Sequence, residues 1–141
     1  MTWWVDDVMM DEEVRLDERR WAPDMQAHNQ QYWRMLVFAE LVYDTDRNQG
    51  NILYTSDWKL WTIDFSRAFR IWGELQAPQN VLQCDRDMLA RMRGLTRALL
   101  KEHTGAYLEG GEMDGVLERR DKLVDHFETL IEQKGEQRVL Y

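Results

Sequence analysis

The residues with the most chemistry in them lie in one stretch, Asp44-Thr45-Asp46-Arg47-Asn48-Gln49-Gly50-Asn51, with a further acid, Asp64, thirteen residues beyond Asn51. A loop carboxylate such as Asp46 can align an attacking hydroxyl or take its proton. The amide oxygen of Asn51 and the carboxylate of Asp64 are hard oxygen ligands, suited to a small divalent cation. Phosphoryl chemistry needs this combination, because its transition state is stabilised by positioning and by charge neutralisation.

These residues must be brought together by the elements between them. Ile52-Leu53-Tyr54 and Lys59-Leu60-Trp61-Thr62-Ile63 read as two short strands about a Thr55-Ser56-Asp57 turn, with Asp57 as a turn former. A hairpin there folds Asp64 back towards Asn51. Upstream, Pro23-Asp24 is a helix start signal, and Tyr32, Met35, Leu36, Ala39 and Val42 recur at helical spacing. The helix predicted over 24–43 delivers the loop, and Asp44 is expected to be a solvated acid at its end.

The order of motifs resembles the phosphatidylinositol 3- and 4-kinase-like branch of the kinase superfamily, which reads Asp-Arg-His-x-x-Asn and then Ile-Asp-Phe-Gly. The matching residues are Asp46-Arg47-Asn48-Gln49-Gly50-Asn51 and Ile63-Asp64-Phe65-Ser66. The resemblance implies a mainly α fold with a small β-hairpin, that of a kinase C-lobe. It makes Asp46, with Arg47 beside it, the catalytic residues, and Asn51 and Asp64 the ligands of a divalent metal. Magnesium or manganese suits such ligands first, with zinc and calcium left open. Asn48 stands where the family has His, and Ser66 where it has Gly, which implies a stiffer metal loop. Arg67 and Arg70 follow the metal loop and are candidate phosphate contacts, since a guanidinium matches phosphate oxygens in a fork. Pairing with the many acids of the chain is the alternative for both.

A calcium-binding hand is the rival reading, since Asp44, Asp46 and Asn48 alternate. Its sixth position needs Gly and its twelfth a bidentate Glu, and here these are Gln49 and Thr55. His28, His103 and His126 are scattered without metal-ligand spacing and are expected to be surface or satisfied core histidines.

No Gly precedes Gly50 and no Lys precedes Lys59, so the glycine-rich loop and strand lysine of a kinase N-lobe are missing. Three functions follow as expectations. The first is metal-dependent phosphoester chemistry on a phosphate-containing small molecule, by hydrolysis or phosphoryl transfer. The second is a truncated fragment of a lipid- or small-molecule-type ATP-dependent kinase. The third is a non-catalytic kinase-like binding scaffold.

At 141 residues the chain is read as one domain: an arm over 1–22, the helix over 24–43, the loops and hairpin over 44–66, and helices over 85–135. The arm carries a weak helical pattern with Asp11-Glu12-Glu13 and Arg15 on a solvated face. The pattern Met88, Leu89, Met92, Leu95, Leu99 predicts one helix from Asp85 that passes through Gly94. A long amphipathic helix follows and stops at Gly135. Seven Trp and eight Met are expected to form a bulky core. Trp3, Trp4 and Trp21 predict instead an exposed apolar arm that packs against a second copy in a homodimer.

A net charge of −8 argues against nucleic acid, whose binding is driven by Lys and Arg. The lone Cys84 forms no intrachain disulfide and fits a reducing cytoplasm. No stretch has the apolar length of a membrane span, and the first residues do not resemble a signal peptide.

Overall fold

The computed structural model describes residues 5–141. It is mainly helical, at 56%, with one small three-stranded antiparallel sheet. Trp3 and Trp4, on which half of the dimer expectation rests, lie outside the described residues.

Helix α1 spans Met25–Val42 and starts where the sequence signals it, with the Asp24 side chain accepting from the backbone N–H of Ala27. The predicted hairpin is present as β2 (Ile52–Tyr54) and β3 (Leu60–Thr62), with Ile52 opposite Thr62 and Tyr54 opposite Leu60. A third strand, β1 (Met9–Met10), pairs with the other edge of β2. The described part of the arm therefore contains a strand as well as a helical turn, and its charged face is partly self-paired as expected, with Glu12 and Glu13 exposed. After β1 it makes a short π-helical turn over Glu12–Asp17. Asp11 is fully buried, ion-paired with Arg15 and accepting from the Tyr54 hydroxyl at 2.9 Å. Sheet pairing and this buried carboxylate outweigh the weak helical period.

The helix expected through Gly94 is two helices. Helix α2 (Arg86–Gly94) ends there, and α3 (Arg97–Thr104) restarts from Thr96, whose hydroxyl accepts from the Leu99 N–H. A poor helix former next to a good N-cap explains the break. Helix α4 runs Gly110–Lys134 and stops at Gly135, at φ +88°, a conformation that favours glycine. A last turn, α5 (Glu136–Val139), docks Val139 into the core.

The main core lies between α1, α2, α4 and α5, around Val37, Leu89, Leu123 and Phe127, each at most 1% exposed. Burying one such side chain contributes about 1.5–3 kcal/mol. A second core, Met35, Ile52 and Tyr54, glues the sheet to α1. Of the described tryptophans, Trp58 packs against this second core, while Trp21, Trp61 and Trp72 are exposed. Among the described residues, no helix is long and apolar enough to cross a membrane.

Candidate functional site

Four carbonyls at the end of a helix have no partner inside it and must find one elsewhere. At the end of α1 each does. Ala39 and Glu40 accept from the N–H groups of Tyr43 and Asp44, Leu41 from the guanidinium of Arg119, and Val42 from the Phe69 N–H. Tyr43 makes the turn in the left-handed region at φ +54°, a position usually given to glycine. Its ring packs against Trp72 and under the Arg119 guanidinium, at 5.4 Å to each. That packing offsets the backbone cost and fixes the direction in which the chain leaves the helix.

Asp44 is not solvated. Its side chain is fully buried, accepts the Asp46 N–H at 3.1 Å, and is ion-paired with Arg47. Being the first residue past the turn, it lies under the loop rather than on it. Arg47 also donates to the carbonyls of Asn51 and Ile63, at 2.8 and 2.9 Å, and lies over the Phe65 ring. Its charge and donors are thus engaged in joining the loop, the base of the hairpin and the segment after it. In this geometry Arg47 is a positioning residue.

Asp46 and Asn51 are directly connected. The Asn51 side-chain N–H donates to the Asp46 carbonyl at 2.8 Å. This fixes the amide so that its oxygen is the end left over. The Asp46 carboxylate accepts from the Asn48 amide at 3.1 Å, and its other oxygen lies 3.8 Å from the Arg67 guanidinium. Asn48 thus orients Asp46 through an amide.

Asp64 enters through the hairpin register. The Ile63 N–H donates to the Asn51 carbonyl at 3.1 Å, so Asp64 is the next residue after the one facing Asn51. It is exposed, in the left-handed region at φ +56°, a conformation that Asp tolerates better than most residues. One carboxylate oxygen accepts from both the hydroxyl and the N–H of Ser66, at 2.6 and 3.2 Å. The Ser66 hydroxyl, then its N–H, hold the Asp64 carboxyl below the usual aspartate range. Ser66 therefore secures the Asp64 turn through its side chain.

Arg67 is exposed and reaches towards Asp46, while its carbonyl accepts from the Thr45 hydroxyl. Arg70 is exposed too, but its carbonyl faces inward and accepts from Arg119 at 2.9 Å.

Two residues that hold this arrangement went unread in the sequence. Glu40 is buried and accepts the N–H groups of Gln76 and Ala77 at 2.7 and 2.8 Å. Arg119 is fully buried and also binds the carbonyls of Arg70 and Trp72. Together they strap the segment after Asp64 across the end of α1. The signal for Arg119 was a charge inside the apolar stripe Val116, Leu123, Phe127 of α4.

As a metal site the set is sparse. Among the described residues no three His, Cys, Asp or Glu side chains cluster as metal ligands. A magnesium-type ion fits such a set, since it commonly keeps several waters and takes only one or two carboxylates plus phosphate oxygens. Among the described residues, no hydrogen-bond donor reaches the Asn51 side-chain oxygen or the second Asp64 carboxylate oxygen. No family model, curated protein or solved structure matches the chain.

Proposed function

We propose that the loop and hairpin over residues 44–66 form a kinase-type site for metal-dependent phosphoester chemistry, on a C-lobe-like scaffold. The observation that carries the reading is the hydrogen bond from the Asn51 amide to the Asp46 carbonyl, which locks the two together and leaves the Asn51 oxygen free.

In this reading Asn51 and Asp64 hold a divalent ion, magnesium or manganese first. A bound ion would neutralise charge that develops on the phosphoryl oxygens. Asp46, oriented by Asn48, accepts the proton of the attacking hydroxyl as its oxygen bonds to phosphorus and the bond to the leaving oxygen breaks. Arg67, exposed and 3.8 Å from Asp46, is placed to exchange that carboxylate for a phosphate oxygen. Arg70 offers a second exposed guanidinium. Water is the simplest nucleophile, which makes the reaction hydrolysis of a small phosphate ester.

The reading includes the homodimer, supported by the exposed apolar side chains of Leu16, Trp21 and Met25 near the arm. Light scattering that gives a concentration-independent monomer mass near 17 kDa rejects that part alone.

The test is magnesium titration followed by calorimetry, with hydrolysis of p-nitrophenyl phosphate as the activity assay. Metal-dependent turnover that Asp46→Ala removes supports the reading. Turnover that survives in Asp46→Ala or without metal rejects it.

A further inference from the structure

Among the described residues the sheet ends on β3, and one edge of that strand has no neighbour strand. In an antiparallel pair, alternate residues turn their N–H and C=O towards the partner or away from it. Ile63 donates to Asn51 and Thr55 donates to Lys59, so positions 59, 61 and 63 face β2. Leu60 and Thr62 therefore face outward. The Leu60 N–H, which points that way, is taken by the Gln31 side chain of α1 at 2.8 Å. The Leu60 carbonyl and both groups of Thr62 remain as an open edge.

Beside that edge lies a groove of about 240 Å³ between α1 and β3. Its floor is apolar, with Met35 and the exposed ring of Phe38. Its rims carry Arg34 and Lys59, and no carboxylate lines it, in a chain whose net charge is −8. Arg34 gives one nitrogen to Asp85 at 2.7 Å, yet its side chain is 60% exposed. Lys59 is held over the Trp61 ring, 4.8 Å from its centre. A backbone edge supplies affinity for any extended chain, and the flanking side chains then choose among such chains.

We propose that the β3 edge and this groove dock an extended acidic peptide segment of a partner protein, which adds a fourth strand to the sheet. Its backbone pairs with the Leu60 carbonyl and with both groups of Thr62, apolar side chains settle on Phe38 and Met35, and carboxylates meet Arg34 and Lys59. The proposal shares only the hairpin with the phosphoester reading and uses none of Asp46, Asn51, Asp64, Arg67 or Arg70, so either can fail without the other.

The experiment uses the full chain and a blocked peptide of about eight alternating valines and glutamates, enough to span the strand and its flanks. Amide shifts at Leu60 and Thr62 map the binding. Two further peptides replace glutamate by lysine or carry N-methyl groups on the face that meets β3. The acidic peptide is expected to bind and move the Thr62 amide, and both controls to fail. Arg34→Glu with Lys59→Glu, an exposed pair of changes, is expected to weaken binding about tenfold or more while the far-ultraviolet spectrum stays the same. Absence of binding at about millimolar peptide, equal binding of the lysine peptide, or shifts confined to another face overturns the proposal. So does a concentration-dependent shift of Leu60 and Thr62 without peptide, which would assign the edge to a second copy of the chain.

Discussion

Arg47 and Asp44 form a buried ion pair beneath the loop, with side-chain exposures of 6% and 0%, and Arg47 extends it to the carbonyls of Asn51 and Ile63. The loop, the hairpin and the Ile63–Phe65 segment are thereby joined through one guanidinium. Removing it strands the Asp44 charge in the interior. Arg47→Ala is expected to cost about 3–5 kcal/mol in urea denaturation. The double variant with Asp44→Ala should cost clearly less than the sum of the two, because neither charge is then left alone. Additive losses would show that the pair is not the joint.

Asp64 makes the opposite prediction, because it is exposed and touches only its own turn. Asp64→Asn keeps a side chain that tolerates the left-handed backbone and removes the charge. On the proposed reading, magnesium affinity and metal-dependent turnover should vanish, while the urea midpoint stays close to that of the parent. Asp64→Ala should lose the same function and be less stable than Asp64→Asn, since alanine fits that backbone poorly. Metal affinity retained in both variants would remove Asp64 from the site.

The Ser66 hydroxyl is the first reason that the Asp64 carboxyl lies below the ordinary value of 3.8. A depressed carboxyl pKa means that the charged form is favoured in the fold, and that the contribution is lost as pH falls through the folded value. On the proposed reading, metal affinity should weaken on the acid side only as pH falls through that lowered value. Ser66→Ala should move its acid limb upward. Carboxyl shifts of Asp64 across a pH titration provide the check, and an unchanged midpoint in Ser66→Ala would reject the cause.

How far the site could be read in advance depended on the range of each interaction. The hairpin and α1 were legible because turn residues, apolar period and the Asp24 cap are local signals. Asp46, Asn51 and Asp64 were legible as a spacing. Asp44 was misread because its burial depends on Gln76, which donates to its carbonyl from 32 residues away, and on Arg47 folding back. The arm was misread for a related reason. A two-residue strand has no periodicity to detect, and the partner that buries Asp11 is a tyrosine 43 positions on.

That tyrosine gives the last prediction. Tyr54 has one hydroxyl proton and donates it to Asp11 at 2.9 Å, so the His28 Nε2 at 2.9 Å must be the donor to the Tyr54 oxygen. The order of donors fixes the histidine tautomer and links the arm, the sheet and α1 at one buried point. Tyr54→Phe leaves an acceptor and a donor without the partner between them, which should cost about 2–3 kcal/mol. The loss should be local first, seen as faster hydrogen exchange at the β1–β2 pair before the helices respond. Alkaline pH supplies an independent readout. Burial, then the Asp11 carboxylate, raises the Tyr54 pKa well above its ordinary value. A raised tyrosine pKa gives stability that is complete below about pH 10 and declines as pH rises beyond it. Burial also pushes Tyr141 up to about 12, so Tyr54→Phe should shrink that alkaline decline rather than remove it. A variant as stable as the parent, with unchanged exchange at Met9 and Met10, would show that the arm is held by strand pairing alone.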